Sequence, residues 1–370
     1  MSTYKLGTEF YNRGIGICNY TFVNKEKNSV DIYPGKKIQA PFGGLAQNSK
    51  NLQHLQKCLV EFAPDVVINQ SPYEIAINDT LLKYSRKSKT LLLACLRNTL
   101  FSVKLNIEEY GKSLFYFLPK KFLRYSVIKF LLQILHKFKH AKQLKNILDT
   151  HDYFVMFGPP NNEELHYFVG NYKSDKTYLI PNSIPSVCES LPEKENRILY
   201  LGRVSHLQKN AQLLTILWEK LVPSIDNWMF DVVGDGDALN DIKKEISTKG
   251  FHDMNTYGKQ EPSSFYKRSS IFIMTSSFEG FPNVLIEAQS YGSVPVIFNT
   301  YPIAEWVIEH GENGFLVEPF NVDQMVEYVN LLANDDELRK NMGLAALENA
   351  KRFHISKVGD RWMDLITSNV

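Results

Sequence analysis

The chain has 370 residues, which predicts two domains at roughly 100–200 residues each. Its hydrophobic content of 44% is enough for buried cores, and its four scattered cysteines show neither a disulfide framework nor a metal-binding spacing. No signal peptide is visible and no apolar stretch reaches the ~20 residues that span a bilayer, so the cytoplasm is the expected compartment.

The net charge of +2 is unevenly distributed along the chain. The segment that begins at Gly111 and ends at Leu148 contains nine Lys or Arg residues and no Asp or Glu. One basic segment therefore lies in an otherwise acidic protein, so the charge bears on the partner of that segment rather than on the whole chain.

Helical spacing and short apolar runs alternate over the first half of the chain. A strand is predicted at residues 29–33 and a turn at residues 41–44. Helices are then predicted at residues 48–62, 73–87 and 163–169, and strands at residues 66–68, 90–96, 152–157 and 176–180. This alternation predicts a parallel sheet covered by helices.

The basic segment, residues 111–148, mixes its cationic side chains with aromatic and aliphatic ones, and Pro119 divides it. A basic amphipathic helix of this kind suits an anionic membrane surface, where each Lys or Arg contributes about 1 kcal/mol. Two alternatives stay open. One is a solvated helix whose apolar stripe packs on its own domain. The other, less favoured because no reader motif is present, is a nucleic-acid-binding segment.

A polar, proline-containing stretch at residues 186–196 is typical of a domain linker. After it, strands are predicted at residues 197–201, 229–233, 271–274 and 294–298, and helices at residues 210–221, 238–248, 284–291, 322–332 and 336–351. This pattern predicts a doubly wound α/β domain, whose ligands usually bind beyond the carboxyl ends of the strands.

The most informative stretch is residues 276–288, which follows a predicted buried strand. Asn283 is predicted to cap the next helix, with Glu279 in the loop before it and Glu287 about one turn inside it. Both carboxylates are then expected to face a ligand at the helix start, where free amides favour a phosphate. The combination suggests a nucleotide-linked ligand rich in hydroxyl groups.

A second loop, residues 202–210, follows the first strand of the second half. Gly202 permits a close turn, and Arg203 and Lys209 place two positive charges at the strand end, which suits a diphosphate. Loops of this composition are common, so the assignment gains its weight from the expected proximity of Glu279.

The sequence offers little for a metal ion. Asp235 and Asp237 follow another predicted strand, where a turn with Asp237 capping the next helix is favoured over a metal-diphosphate site. The nine histidines show no ligand spacing. No Walker A loop, GxGxxG fingerprint or GxSxG elbow is present, so neither a metal nor a cofactor is expected.

Glu279 and Glu287 form an E-x7-E pair, and the sequence around them closely resembles the retaining glycosyltransferases of family 4. The resemblance is strong over about residues 176–353 and weak before them. Its matching segments are residues 180–183, 202–203, 209–210, 233–236, 279–288, 292–297 and 313–317.

The resemblance implies an α/β protein of the GT-B fold, in which two Rossmann-like doubly wound domains face a central cleft. Residues 1–188 would form the N-terminal acceptor-side domain, with a last helix at residues 354–370 packing back on it. Residues 189–353 would form the C-terminal donor-nucleotide-binding domain.

The family pattern is incomplete in the first domain. The glycines at residues 14–16 and 43–44 follow no clear strand, and Leu96-Arg97-Asn98 stands where the family often has a histidine. We therefore expect a divergent or truncated start and assign no catalytic residue in this domain.

The resemblance also implies roles for residues of the second domain. Arg203 and Lys209 would hold the donor diphosphate and stabilise the leaving group, Glu279 would contact the donor sugar, and these three are the catalytic candidates. Fixed cations can stabilise a departing nucleoside diphosphate without a metal. Glu287 would hydrogen-bond the nucleotide ribose, and backbone amides of residues 281–284 would meet the sugar or the phosphates. The donor-binding set is Gly202, Gly280, Phe281, Pro282, Asn283, Val284 and Glu287.

These roles imply a metal-independent retaining glycosyltransferase of the hexosyltransferase type, with a nucleotide diphosphate sugar as co-substrate. Together with the basic segment, they imply a glycan or polyprenyl-linked acceptor, a peripheral position at the inner face of the cell membrane, and a role in envelope or capsular polysaccharide synthesis. No nucleic-acid partner is expected. Two alternatives stay open: a sugar-nucleotide epimerase on the same fold, and a non-catalytic sugar-nucleotide-binding subunit.

Overall fold

The computed structural model describes residues 2–22, 35–42, 48–114 and 125–370. The chain divides into two compact units, Met1–Ser183 with Ile355–Val370, and Ile184–His354. The domain limits after residues 188 and 353 stay a prediction. The strand predicted at residues 29–33 lies outside the described residues, as do residues 43–44 of the predicted turn and residues 115–124 of the basic segment.

The first unit contains two parallel sheets. A two-stranded sheet pairs β1 with β2, and a four-stranded sheet has the order β3-β4-β5-β6. Every strand predicted for the larger sheet is confirmed. The strands are β1 (Cys18–Thr21), β2 (Lys36–Gln39), β3 (Val66–Asn69), β4 (Leu91–Cys95), β5 (Tyr153–Met156) and β6 (Thr177–Leu179).

Helices cover both faces of the larger sheet. They are α1 (Ser2–Asn12), α2 (Ser49–Phe62), α3 (Ile75–Ser88), α4 (Ser102–Leu105), α5 (Ile107–Leu114), α6 (Ser126–Thr150), α7 (Pro160–Val169) and, from the end of the chain, α15 (Ile355–Thr367). Alternation along β4 divides the core, because neighbouring residues of a strand point to opposite faces. Leu93 packs with Trp362 of α15, and Leu92 packs with Leu55 of α2.

The second unit contains a six-stranded parallel sheet with the order β12-β11-β10-β7-β8-β9. The strands are β7 (Glu195–Leu201), β8 (Met229–Val233), β9 (Met254–Gly258), β10 (Ser269–Met274), β11 (Val294–Phe298) and β12 (Phe315–Val317). The order reverses direction between β7 and β10, so the predicted doubly wound arrangement is confirmed. The four predicted strands are present, and the edge strands β9 and β12 are additional.

The helices of the second unit lie between these strands. They are α8 (Leu213–Leu221), α9 (Leu239–Lys249), α10 (Ser263–Arg268), α11 (Asn283–Gln289), α12 (Ile303–Val307), α13 (Val322–Asn334) and α14 (Asp336–Ala350). Among the helices that the structure describes, none combines the length and the apolar character needed to cross a membrane. All four cysteines are unpaired.

Candidate functional site

Three loops of the second unit meet where its strand order reverses. They follow β7, β8 and β10, which are neighbours in the sheet, and all three leave its carboxyl edge. In open α/β sheets the crevice at such a switch point is the usual ligand site. The predicted residues Arg203, Lys209 and Glu279 lie on the first and third of these loops.

Glycines allow the loops after β7 and β8 to come into backbone contact. A Cβ atom added at Gly234 would lie 1.7 Å from the carbonyl oxygen of Gly202, and one added at Gly236 would lie 2.2 Å from the carbonyl oxygen of Val204. The amide of Gly202 also donates to the carbonyl of Val233 at 3.0 Å. Positions 234 and 236 therefore admit only glycine, and the loop that carries Arg203 and Lys209 has a fixed starting point.

The loops after β7 and β10 are joined by direct hydrogen bonds. The Ser277 amide donates to the carbonyl of Gln208 at 2.7 Å, and the Thr275 hydroxyl donates to the carbonyl of Lys209 at 2.7 Å. Asn210, in the left-handed region at φ 46°, donates from Nδ2 to the Ser277 hydroxyl at 2.7 Å. These bonds fix the position of Lys209 relative to the loop that carries Glu279.

Lys209 and Glu279 form an ion pair between their Nζ and Oε1 atoms. Their side chains are only 15% and 10% exposed. Burial, and then the charge of Glu279, raises the pKa of the Tyr200 and Tyr301 hydroxyls. The pair therefore lies in a poorly solvated place, where removal of one partner leaves an uncompensated charge. The structure thus brings together two of the three residues predicted to be catalytic.

Arg203 differs from Lys209 in being exposed. Its guanidinium forms no hydrogen bond or ion pair within the residues that the structure describes, although its backbone carbonyl accepts a 2.7 Å hydrogen bond from Tyr200. The Arg203 side chain is therefore available to a ligand at the same carboxyl edge as the Lys209–Glu279 pair.

The segment between the two predicted carboxylates is mostly buried. Phe281 packs edge-on against Phe353, with ring centroids 5.7 Å apart, and Pro282 is buried beside it. Within the described part of the chain, the amides of Gly280 and Val284 donate no hydrogen bond. Side chains of this segment thus anchor it, and backbone amides are the groups it can offer.

The prediction that Asn283 caps the following helix is wrong. Pro282 is the N-cap residue, makes no side-chain cap, and Asn283 is the first residue of α11. Its amide donates instead to the carbonyl of Phe281 at 2.9 Å. The helix has seven residues, so its dipole adds little and the polar groups of the loop carry the electrostatics.

Glu287 lies on α11 and is held by a residue that the sequence did not indicate. The Tyr266 hydroxyl donates to Glu287 Oε2 at 3.2 Å, and its ring stacks on Tyr291 with centroids 5.8 Å apart. The Tyr266 carbonyl accepts from Lys194 Nζ at 3.0 Å. Burial, followed by the charge of Glu287, raises the pKa of Tyr266, so it stays a hydrogen-bond donor to this carboxylate.

Asp237 does not cap the helix after β8, which corrects a second capping prediction. The N-cap of α9 is Ala238, without a side-chain cap. Asp237 Oδ1 accepts instead from the His206 amide at 3.3 Å, and the His206 ring contacts Asp241 at 3.0 Å. These acidic residues therefore brace the loop after β7.

The first unit has a small concave pocket of about 40 Å³ at the carboxyl edge of its own four-stranded sheet. Arg97 Nη1 donates to Gln70 Oε1 at 2.7 Å at this pocket. The lining residues are Leu6, Gln70, Cys95, Leu96, Arg97, Val155, Phe157, Ile180, Pro181, Asn182, Ser183, Val358 and Trp362. This set includes one cation and no carboxylate.

A buried carboxylate lies behind two loops of this pocket. Glu164 accepts hydrogen bonds from the Thr99 hydroxyl, from the Leu100 amide at 2.9 Å and from Asn161 Nδ2 at 3.1 Å. Asn161 Oδ1 in turn accepts from the amide of Phe157 at 3.0 Å. Burial raises the pKa of Glu164, and the donors oppose that shift. Glu164 thus ties the loop after β4 to the loop after β5.

Comparison with known proteins identifies the family of the second unit, which contains the Lys209–Glu279 pair. Residues 188–349 match the family described as glycosyl transferases group 1. The second unit belongs to this family. An uncharacterized glycosyltransferase of Haemophilus influenzae is 30% identical over 180 residues, 48% of this chain and 50% of that protein. The amylovoran biosynthesis glycosyltransferase AmsD of Erwinia amylovora is 28% identical over 204 residues, 54% of this chain and 55% of that protein. The chain thus spans about half the length of these curated relatives.

Solved structures extend the likeness in fold to both units. The match to the lipopolysaccharide outer core galactosyltransferase WaaB covers 100% of this chain and 96% of the WaaB chain, with a TM-score of 0.67 and 19% identity. Anabaena HepE, solved in complex with UDP and glucose, covers 99% of this chain and 95% of its own, with a TM-score of 0.72 and 15% identity. The predicted family resemblance and the GT-B fold class, with its two parallel α/β units, are confirmed.

Proposed function

We propose that the protein is a retaining glycosyltransferase of the hexosyltransferase type, which moves a sugar from a nucleotide diphosphate donor to a glycan or lipid-linked acceptor. The observation that carries this proposal is the buried Lys209–Glu279 pair at the switch point of a glycosyl transferases group 1 unit. A cation and a carboxylate fixed side by side match the phosphate and the hydroxyl groups of such a donor.

In the proposed reaction the bond between the anomeric carbon and the β-phosphate oxygen breaks, and the acceptor oxygen bonds to that carbon with retention of configuration. The proton of the acceptor hydroxyl passes to the departing diphosphate. Arg203 and Lys209 neutralise the charge that develops on the nucleoside diphosphate. Glu279 accepts hydrogen bonds from the donor sugar, and the Gly280 and Val284 amides donate to the sugar or phosphates. Glu287 accepts from the ribose. These groups supply the electrostatic stabilisation without a metal ion.

The relatives support a nucleotide sugar donor and a polysaccharide product. HepE and the pneumococcal O-GlcNAc transferase GtfA have been solved with UDP. AmsD is named for amylovoran biosynthesis and CapM of Staphylococcus aureus for capsular polysaccharide biosynthesis. We therefore propose envelope or capsular polysaccharide synthesis, with the protein in the cytoplasm at the inner face of the membrane and the basic segment in contact with anionic lipid.

Thermal-shift measurements with a panel of nucleotide sugars test the proposal. A specific donor stabilises the folded protein by mass action, by about 2.7 kcal/mol at a hundredfold excess over Kd. The stabilising donor is then incubated with membrane extract and alone. Transfer of labelled sugar to the extract supports the proposal. Conversion of the donor without an acceptor indicates an epimerase, stabilisation without turnover indicates a binding subunit, and the absence of any stabilising nucleotide contradicts the donor site.

A further inference from the structure

The helix α6, Ser126–Thr150, has two apolar faces that point in opposite directions. Its inner face packs into the first unit, where Leu132 and Leu144 are 3% and 0% exposed. His136 and His140 lie on this inner face, and their rings pack edge-on against Phe168 of α7. The inner face already supplies the packing that a surface helix needs.

The outer face of α6 is defined by six large apolar side chains that are exposed. They are Val127 (70% exposed), Phe130 (60%), Leu131 (57%), Ile134 (37%), Leu135 (47%) and Phe138 (73%). Their spacing of three or four residues places them on one side of a helix over about 16 Å. A contiguous exposed apolar face of this kind marks an interaction surface.

The charges of α6 indicate the chemistry of the partner. Lys139 and Lys142 are exposed, and helical spacing continues the outer face from Phe138 to Lys142. Lys145 is also exposed, but its Nζ lies 5.2 Å from the ring centroid of Tyr172. The one acidic residue of α6 is Asp149 in its last turn, where it forms an ion pair with Lys173. The outer face therefore has an apolar first half and a cationic second half.

Two other lysines of this helix are directed to the protein itself. Lys129 Nζ lies 2.6 Å from Glu108 Oε1, and Lys137 Nζ lies 4.2 Å from the ring centroid of Tyr167. The cationic character of the outer face thus comes from a few residues, whereas all six of its apolar side chains are exposed. This differs from the sequence-based hypothesis, in which the positive charge of the whole segment draws the protein to lipid.

We infer that the outer face of α6 inserts into an anionic lipid surface. The helix lies parallel to the surface, with the six apolar side chains among the acyl chains and Lys139 and Lys142 at the headgroup phosphates. The inference deepens the membrane contact of the proposed function. Its tests need no transferase activity, so it can fail or hold independently of that function. Because apolar insertion is not screened by salt, a large part of the binding persists at high ionic strength.

Vesicle flotation measures this binding directly. The probe is the full chain with vesicles of phosphatidylglycerol and phosphatidylcholine in equal parts. The double variant Phe130→Ala with Phe138→Ala is expected to bind at least about tenfold more weakly, because two inserted aromatic side chains are removed. The matched control is Val60→Ala with Ile75→Ala, which truncates two exposed apolar residues on α2 and α3 and is expected to float like the unmodified protein.

A second variant separates the lysines from the apolar residues. Lys139→Gln with Lys142→Gln is expected to weaken binding at low salt and to make little difference at about 0.5 M NaCl, where surface charges are screened. Complete loss of binding of the unmodified protein at that salt concentration would overturn the insertion. So would equal binding of the aromatic double variant and its control.

Sedimentation equilibrium addresses a second copy of the chain as the occupant of this face. A monomer in both the unmodified protein and the aromatic double variant supports the lipid assignment. A dimer that dissociates in the Phe130→Ala with Phe138→Ala variant, together with no flotation, would assign the outer face to self-association instead.

Discussion

The carboxyl edges of the two parallel sheets are built in different ways. In the second unit the loops bond directly to one another, through Ser277 to Gln208 and through Asn210 to Ser277, and they enclose the Lys209–Glu279 pair. In the first unit the loops after β4 and β5 are held from behind by Glu164 and leave an open pocket in front. The second unit's edge thus holds an ion pair within its site, whereas the first unit's edge has one arginine in its pocket and a buried carboxylate behind its loops.

The difference bears on the ligands that each edge can bind. An ion pair in a poorly solvated place favours a ligand that offers an anionic group to the cation and hydroxyl groups to the carboxylate. A ligand that engaged only one partner would draw it away and leave the charge of the other uncompensated. A small pocket lined mainly by apolar groups, with Gln70, Arg97, Asn182 and Ser183 as its polar residues, favours recognition by shape with a few polar contacts. The charged edge is therefore the one to which the proposed donor chemistry belongs.

The largest expected effect comes from separating the charges of the second edge. Lys209→Ala and Glu279→Ala are each expected to lower glycosyl transfer at least about 10²-fold, the magnitude typical of losing one fixed group that stabilises transition-state charge. Steady-state transfer from the donor identified by thermal shift measures it. Lys209→Ala also leaves the Glu279 carboxylate buried without its partner, so its melting temperature is expected to fall.

The matched control for these variants is Lys220→Ala. Lys220 also forms an ion pair, with Asp323 at 2.7 Å, but both side chains are exposed. Exposed pairs contribute about 0–1 kcal/mol, so transfer and stability are expected to stay near those of the unmodified protein. If Lys209→Ala and Glu279→Ala behave like this control, the assigned site is wrong.

The next effect concerns the support of the first edge. Glu164→Ala removes the acceptor of three hydrogen bonds from Thr99, Leu100 and Asn161, so the free energy of unfolding is expected to fall by about 3 kcal/mol in urea titration. Amide exchange is expected to quicken at residues 96–100 and 157–158 and to stay unchanged at residues 202–210.

Glu163→Ala is the control at the neighbouring position, because Glu163 is exposed. A surface substitution of this kind is expected to change stability by less than about 0.5 kcal/mol. Equal stability of the two variants would show that Glu164 does not support the loops of this edge.

The central strands of both units could be predicted from the sequence because they are covered on both faces. Strands covered on both faces need continuous apolar runs, so Val294–Phe298 and Leu91–Cys95 are readable directly. Edge strands such as Phe315–Val317 are too short to show a pattern. The carboxyl-edge position of Lys209 and Glu279 followed from topology, because the strands that precede them are parallel.

The side-chain contacts that hold the site could not be predicted from sequence patterns. Tyr266 lies in a six-residue helix, which is too short for a period, and its partner Glu287 lies in a different helix. Glu164 looks like an ordinary polar helix residue until its burial is known. Asp237 occupied a plausible capping position, but the amide of His206 competes for its carboxylate. Side-chain partners depend on packing that local sequence does not encode.

A smaller effect is expected from pH in the first unit. Burial lowers the pKa of His151 to about 4, and Asp152 and Lys176 are the charged groups that act on it. Asn69 Nδ2 donates to its Nε2 at 3.1 Å and its Nδ1 lies 3.1 Å from the Ile147 carbonyl, so the neutral ring fits both partners. Between the ordinary pKa of 6.5 and about 4, the unfolded chain binds the proton more readily. Stability is therefore lost as pH falls through this window.

His151→Gln tests this account in urea titrations from pH 7 to pH 4. The variant lacks the titrating group, so the part of the stability loss due to this residue, at most about 3 kcal/mol at pH 4, is expected to disappear from the pH profile. His166→Gln, at an exposed histidine of the same unit, is expected to leave the profile unchanged. An identical pH dependence in the His151 variant and the unmodified protein would contradict the assignment.

The smallest expected effect lies in the support of Glu287. Tyr266→Phe keeps the buried ring and removes the hydroxyl that donates to Glu287 Oε2. One lost hydrogen bond of about 1 kcal/mol is expected to raise the donor KM about fivefold with kcat unchanged, because the proposed contact is to the ribose rather than to the reacting sugar. A 2′-deoxyribose donor, which lacks one hydroxyl for Glu287, is expected to show a smaller difference. Tyr257→Phe controls for removing a tyrosine hydroxyl, and a fall in kcat for Tyr266→Phe would place Tyr266 closer to the chemistry than this account allows.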